Sequence, residues 1–223
     1  MSTESGFKTW DDYRRMEVAE MMGISRQLFD DMSRRRSVRE FAAEPVPRAV
    51  VESCLRVAGT APSGANRQPW PFVVVENPEV KKRIRTAAER EERAFYGGRA
   101  PAEWLQALRP LGTTVDKPFL ETAPVLIGVF AENHRIGPDG SQQRNYYVNE
   151  SVGLATGFLV AALHLSGLAC LVHTPSPMGF LNEILDRPKN ERAYLLLVIG
   201  YPVAEVQVPA LARRPFAETV SFR

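Results

Sequence analysis

Ala61-Pro62-Ser63-Gly64-Ala65-Asn66-Arg67-Gln68-Pro69-Trp70, followed after Pro71 by Phe72-Val73-Val74-Val75, is the stretch on which the fold turns. Its first part is small and polar. Gly64 and the alanines let a backbone approach a planar ligand closely, with N–H groups left to donate, and Ser63, Asn66 and Gln68 add side-chain donors and acceptors. The second part is β-branched and bounded by Pro71 and Asn77-Pro78, which predicts a short buried strand. An ordinary Pro/Gly loop ahead of a strand is the competing reading.

Upstream, Pro47 opens a predicted helix that runs to about Ala58, where Gly59 and Pro62 break it. Ahead of that helix stands the basic run Arg34-Arg35-Arg36-Ser37-Val38-Arg39. Cations at a helix end complement its dipole, but arginines around a serine also suit a phosphate, which they grip through fork-shaped hydrogen bonds. Arg213 and Arg214 could complete such a site from the tail. No G-x-G-x-x-G and no G-x-x-x-x-G-K-[ST] is present, so a phosphorylated cofactor would bind outside those frames. Earlier still, Lys8 to Met22 and Ser25 to Ser33 read as two helices parted by Gly23.

Downstream, a charged helix is expected from Pro78 to about Tyr96, stopped by Gly97-Gly98, with mixed helix and loop to Leu120. Further strands are predicted at Pro124 to Ala131, Ala169 to Val172 and Tyr194 to Gly200, with a turn at Gly137-Pro138-Asp139-Gly140. The longest helix is expected over Gln142 to Ser166. Its Gly153, Gly157 and Ala161 form a small-residue stripe suited to close helix contact across a dimer. The tail after Tyr201-Pro202 reads as extended. The sum is an α+β fold, a short-stranded sheet wrapped by more helix than strand, in a single domain over 1–223.

Composition narrows the function. A chain of 223 residues, 44% hydrophobic and 24% charged, is an ordinary globular mixture with room for a sizeable core. A net charge of +2 gives no reason to expect a nucleic-acid or membrane surface. Cys54 and Cys170 lie in apolar surroundings and read as buried reduced thiols, and with 3 histidines at no metal-ligand spacing no metal is expected. His164 reads as a satisfied core or interface histidine and His134 as exposed. The polar N-terminus has no signal core, and the apolar run Val152 to Leu165 is interrupted and short for a bilayer span. A cytoplasmic protein with no membrane contact is expected.

Two further features carry chemistry. Thr174, closing the third strand in His173-Thr174-Pro175, can turn its hydroxyl into a site at the sheet edge, although a lone threonine is more often structural. Glu92 and Tyr96, four apart on the charged helix, project from one face, and Lys117 can fold back over it. An acid, a phenol and an amine converging in this way can hold both charges of a free amino acid. A solvated helix face gives the same residue types.

Arg35-Arg36-Ser37-Val38-Arg39, the Pro62 to Trp70 loop and the Phe72 to Val75 strand together resemble the nitroreductase superfamily. From about Ser33 to Pro215 the chain is similar to its iodotyrosine deiodinase branch, and Glu92, Tyr96 and Lys117 have that branch's spacing. The resemblance implies a homodimeric, nitroreductase-like FMN-dependent fold, with a central mixed sheet wrapped by helices and an extended C-terminal tail exchanged between subunits. It implies that Arg35, Arg36, Ser37, Arg39 and Arg213 contact FMN, chiefly near its phosphate, with Ser63 and Gly64 at the flavin. Thr174 would hydrogen-bond flavin N5 and favour one-electron steps. Ala65, through its N–H, with Glu92, Tyr96 and Lys117, would bind the substrate, and residues 93–118 would form a lid. His173 departs from the threonine expected there, and Ala65-Asn66-Arg67-Gln68 is closer to general nitroreductases.

The implied reaction is reductive dehalogenation of halotyrosines, 3-iodo-L-tyrosine first, with its diiodo, bromo and chloro relatives as further candidates, to tyrosine and halide. The electrons would come from an unidentified donor, a reductase or NAD(P)H. Competing readings are a general NAD(P)H-dependent nitro or quinone reductase, a flavin-fragmenting enzyme, and a non-catalytic flavin- or amino-acid-binding sensor.

Overall fold

The computed structural model describes residues 6–223, which divide into two compact units, one ending at Arg35 and one running from Arg36 to Arg223. In the first unit a single helix, α1 (Val18–Ser33), runs straight through Gly23, where two helices were expected. A glycine inside a helix costs only about 1 kcal/mol relative to alanine. Residues 8–17 are not helical, and Arg14 meets Glu20 at 2.5 Å.

The second unit carries the remaining elements in the order α2 (Arg48–Ala58), β1 (Phe72–Val75), α3 (Pro78–Ala94), α4 (Ala102–Leu108), α5 (Phe119–Thr122), β2 (Val125–Glu132), β3 (His134–Ile136), β4 (Gln142–Arg144), α6 (Val148–Leu165), β5 (Ala169–His173), α7 (Gly179–Ile184), β6 (Glu191–Gly200) and α8 (Phe216–Thr219). The main sheet has the order β1-β2-β6-β5, with each neighbouring pair antiparallel. Its parallel component is the bridge between Ser37 and Cys170, which lays the segment after the arginine run along β5. Phe41 then bridges Pro202, and the Arg36 guanidinium donates to the Pro209 carbonyl, so the same segment ties down the tail.

Both faces of the sheet are covered, which is why β2 and β6 read as continuous apolar runs. On one face Val125, Ile127, Val129, Leu197 and Ile199 pack against Val152, Ala155, Leu159 and Leu163 of α6 and Val51 and Cys54 of α2. On the other, Leu126, Phe130, Leu196 and Val198 pack against Ile84 and Ala88 of α3, Leu120 of α5 and Leu181 of α7. Each fully buried leucine or isoleucine contributes roughly 1.5–3 kcal/mol. α6 has the length and apolarity of a membrane span, but its buried stripe is part of this core.

The long helix begins at Val148, six residues later than expected. Gln142 to Arg144 pair instead with His134 to Ile136 in a hairpin closed by the Gly137–Gly140 turn, and Tyr147, at φ 48°, starts the helix from a left-handed conformation. α3 matches its forecast start. Asn77 Oδ1 accepts the N–H groups of Glu79 and Val80 at 2.9 and 3.2 Å, and Pro78 occupies the first turn, where no donor is needed.

Candidate active site

α3 is anchored from beneath before it reaches the site. The buried Lys81 ammonium donates to the carbonyls of Glu121 and Ala123 at 3.0 and 2.8 Å, capping the end of α5, and Arg85 pairs with Glu89 at 2.7 Å. Past Ala94 the chain widens into a π-helical turn, Phe95–Arg99, that ends through Gly98 at φ 137°. Widened turns of this kind occur mostly where side chains must be re-aimed for function. Tyr96 therefore sits on a different helical geometry from Glu92, yet both reach the same cavity. Arg99, at the end of the turn, donates to the Ser176 carbonyl and pairs with Glu91 at 3.1 Å, tying this turn to the chain beyond β5.

The cavity, about 260 Å³, has two unlike walls. Arg39, Glu92, Tyr96, Lys117, His173 and Thr174 form the polar wall; Phe95, Trp104, Leu108 and Leu111 form the apolar one. The Phe95 ring meets Tyr96 and Trp104 edge-on, at centroid distances of 5.3 and 5.0 Å.

Lys117 is the hub. Its ammonium lies 3.3 Å from the Glu92 carboxylate and 5.9 Å from the centre of the Tyr96 ring, and it donates to Thr113 Oγ1 at 3.0 Å and to the Thr114 carbonyl. Tyr96 donates its phenol to the Thr113 carbonyl at 3.2 Å. Burial lowers the Lys117 pKa from its ordinary value, and Glu92 opposes that shift. The Lys117 backbone N–H donates to Glu89 Oε1 at 2.9 Å. Burial pushes the Glu89 carboxyl up, but the Lys117 N–H, Arg85 and Arg93 together hold it below the usual range.

Arg39 is half-buried, and burial lowers its pKa. It has no carboxylate partner among the described residues. His173, at the end of β5, is buried within reach of the charges of Lys117 and Arg39, and its ring meets Phe119 edge-on with centroids 5.6 Å apart.

One chain thus brings together Arg39, Glu92, Tyr96, Lys117 and Thr174 of the expected site residues. Arg36, Ser37, Ser63, Gly64, Ala65 and Arg213 do not line this cavity, and Arg35 follows α1 in the first unit. The Ser63–Ala65 loop packs against the start of α6, where the Gly64 N–H approaches Ser151 Oγ at 3.4 Å. A Cβ on Gly64 would meet the Tyr146 carbonyl oxygen at 2.7 Å, so close packing reserves this position for glycine. Ala65, Asn66 and Gln68 all have positive φ, at 49°, 52° and 49°. Ser63 Oγ holds the Gln68 N–H at 2.9 Å, and Arg67 reaches Asn145 Oδ1 at 3.0 Å. Such strain persists only where surroundings enforce it, and it collects at ligand-binding segments.

Sequence reasoning missed Glu89 and the aromatic wall. Glu89 follows Lys81, Ile84 and Ala88 on the buried stripe of α3, and a carboxylate on a buried stripe must have a partner. Phe95 falls at the end of the expected charged helix, and Trp104 and Leu108 in the expected mixture of helix and loop, with no role beyond the 93–118 lid assigned to any of them.

The arrangement suits binding, with one acceptor for an ammonium, two donors for a carboxylate, and an apolar wall for a ring.

Comparison with known proteins points the same way. The nitroreductase family pattern matches residues 32–201. The chain is 52% identical over 200 residues to an iodotyrosine deiodinase of Haliscomenobacter hydrossis, spanning 90% of each protein. It is 42% identical over 197 residues to iodotyrosine deiodinase 1 of Homo sapiens, spanning 88% of this chain and 68% of that one. Among solved structures it is similar, with a TM-score of 0.74 and 34% identity over 87% of this chain and 100% of that one, to an oxidized iodotyrosine deiodinase bound to FMN and 3-iodo-L-tyrosine.

Proposed function

The chain belongs to the nitroreductase family, and from that premise we infer that it is a flavin-dependent oxidoreductase that removes iodide from iodotyrosine reductively, using FMN and leaving tyrosine. The observation that carries this reading is the convergence of Glu92, Tyr96 and Lys117 on the cavity that Arg39 and Thr174 also line. A reductase of bare nitroaromatics has no use for a zwitterion clamp.

The residues present fit FMN. Arg39 keeps its guanidinium partly buried without a carboxylate partner, a donor set left for a ligand. The strained Ala65–Gln68 loop fixes its backbone N–H groups in one arrangement. Arg35, Arg36, Ser37 and Arg213 would meet the phosphate side, with Ser63 and Gly64 at the ring system. FMN, when bound and reduced, supplies the two electrons that, with one proton, exchange C–I for C–H.

The chain's own groups hold the reactants. Glu92 accepts from the substrate ammonium, and Lys117 and Tyr96 donate to its carboxylate through charge-assisted hydrogen bonds. The Ala65 N–H would donate to the phenolate, and Thr174 would hydrogen-bond the flavin at N5. Residues 93–118, with Phe95 and Trp104 packed together, act as a lid that excludes water once the amino acid is bound.

The working unit is a homodimer. Support comes from the outer face of α6, where Leu154, Phe158 and Leu165 are 47%, 39% and 53% exposed beside Gly157 and Ala161. A cofactor touching both the cavity and the Ser63–Ala65 loop would draw that loop from the second copy. The two reduced, buried cysteines suit a cytoplasmic setting, with electrons delivered by a reductase or NAD(P)H.

The test is single-turnover reoxidation of the anaerobically reduced protein. Iodotyrosine should reoxidise the flavin and release stoichiometric iodide. Rapid reoxidation by a nitroaromatic with none by iodotyrosine would instead make the chain a general nitroreductase.

A further inference from the structure

His173 has a polar atom with no use in the structure so far described. The side chain is 8% exposed and closes β5 on the face that packs Phe119. Its Nε2 is sealed from solvent and has no hydrogen-bond partner. The other such atom among the described residues, Asn190 Oδ1, lies away from the cavity. Burial, then the charges of Lys117 and Arg39, push the imidazole down to about 3, so the ring is neutral at working pH. A neutral imidazole offers either a lone pair or an N–H at Nε2. Leaving that group unpaired in the interior carries a desolvation penalty, which the fold would shed if the position were apolar.

We propose that His173 is a further cofactor-contacting residue, whose Nε2 gains its hydrogen bond from the polar edge of the flavin ring beside Thr174. Arg39 and Lys117 are the charged groups that act on the imidazole, and a turn of the Arg39 side chain toward the cofactor would open Nε2. The proposal rests on the reading of this cavity as the FMN site.

Two variants test it on the full-length dimer. His173→Phe keeps a ring against Phe119 and removes the nitrogen; His173→Gln removes the ring and keeps a donor and acceptor. FMN affinity is read by flavin fluorescence, the midpoint potential by dye equilibration, and thermal unfolding in the FMN-free protein. His173→Phe should bind FMN about tenfold more weakly, the size of one net hydrogen bond. Carried by one oxidation state alone, that tenfold change is about 30 mV in a two-electron couple. FMN-free His173→Phe should unfold no earlier than the parent, because an unpaired nitrogen has gone. His173→Gln should stay within about threefold of the parent in FMN affinity.

Parent-like affinity and potential in His173→Phe would overturn the proposal. So would equal losses in both variants. A lowered unfolding temperature in FMN-free His173→Phe, or its failure to fold, would place the nitrogen's role within the chain and equally count against it. A parent protein that takes up no FMN would sink the cofactor reading instead.

Discussion

The carboxylate of Glu89 accepts the backbone N–H of Lys117 at 2.9 Å, joining the buried stripe of α3 to the residue that anchors the site. Because Arg85 holds the same carboxylate at 2.7 Å, the position of Lys117 is set by the rigid helix and not by the loop before it. Replacing Glu89 by alanine leaves a buried N–H unpaired and leaves Arg85 with Glu121 alone, at 3.2 Å. We expect a loss of about 1.5–3 kcal/mol, read as a lower unfolding temperature, together with weaker iodotyrosine binding. Glu89→Gln retains the acceptor and should recover most of the binding. Equal damage in both variants would mean that the charge, and not the hydrogen bond, positions Lys117.

Lys117→Ala should weaken iodotyrosine binding about 10- to 100-fold, the range for one charge-assisted hydrogen bond. Binding of iodophenol, which has no carboxylate, should change little. Titration of flavin fluorescence with each ligand compares the two, and parallel losses would remove the zwitterion clamp from the account.

Acid sensitivity follows from His173. Its folded pKa of about 3 lies below the ordinary value of 6.5, so the unfolded chain binds more protons between those limits. Stability is therefore full above pH 6.5 and falls as pH drops toward 3, by at most about 1.4 kcal/mol per unit. Glu89, held below its usual range, adds to the loss in the acid part of that window. Urea midpoints of the FMN-free protein at pH 7 and pH 5 should separate more for the parent than for His173→Phe. Equal separation would show that His173 titrates normally.

Gly64→Ala puts a methyl group 2.7 Å from the Tyr146 carbonyl oxygen and 2.8 Å from the Tyr147 ring. Backbone cannot yield cheaply, so the loop must shift, at about 1–3 kcal/mol. The purified variant should carry much less flavin, measured by absorbance after gel filtration, while remaining folded by circular dichroism.

Phe158→Lys places a cation on the exposed apolar face of α6, beside Gly157 and Ala161. Sedimentation should move from dimer toward monomer, with loss of bound FMN. A dimeric, flavin-replete variant would mean that the subunits meet elsewhere.

The main elements were legible because their signals are local. The apolar runs of β2 and β6, the Asn77-Pro78 start of α3 and the tight Gly64 turn are each written in a few adjacent residues. Glu92, Tyr96 and Lys117 were legible as a set only through the family resemblance that their spacing carries. What escaped depends on distant pairings. Gln142 to Arg144 look helical until His134 to Ile136 supply a partner strand, and Glu89 looks like one more surface acid until Lys117 folds onto it. The coverage of the cavity by Phe95 and Trp104 likewise needed the π-helical turn, which no single residue announces.

The chain itself satisfies the Lys117 ammonium, through Thr113 Oγ1, the Thr114 carbonyl and Glu92. These groups act as internal competitors for the same cation. An arriving amino acid exchanges contacts instead of adding them, so its measured affinity reports a difference between two well-bonded states. A lone halide or a simple carboxylate, unable to reward Glu92 with an ammonium at the same moment, gains little from displacing them. Discrimination against half-matching solutes is thus built into the chain's own hydrogen bonds around Lys117.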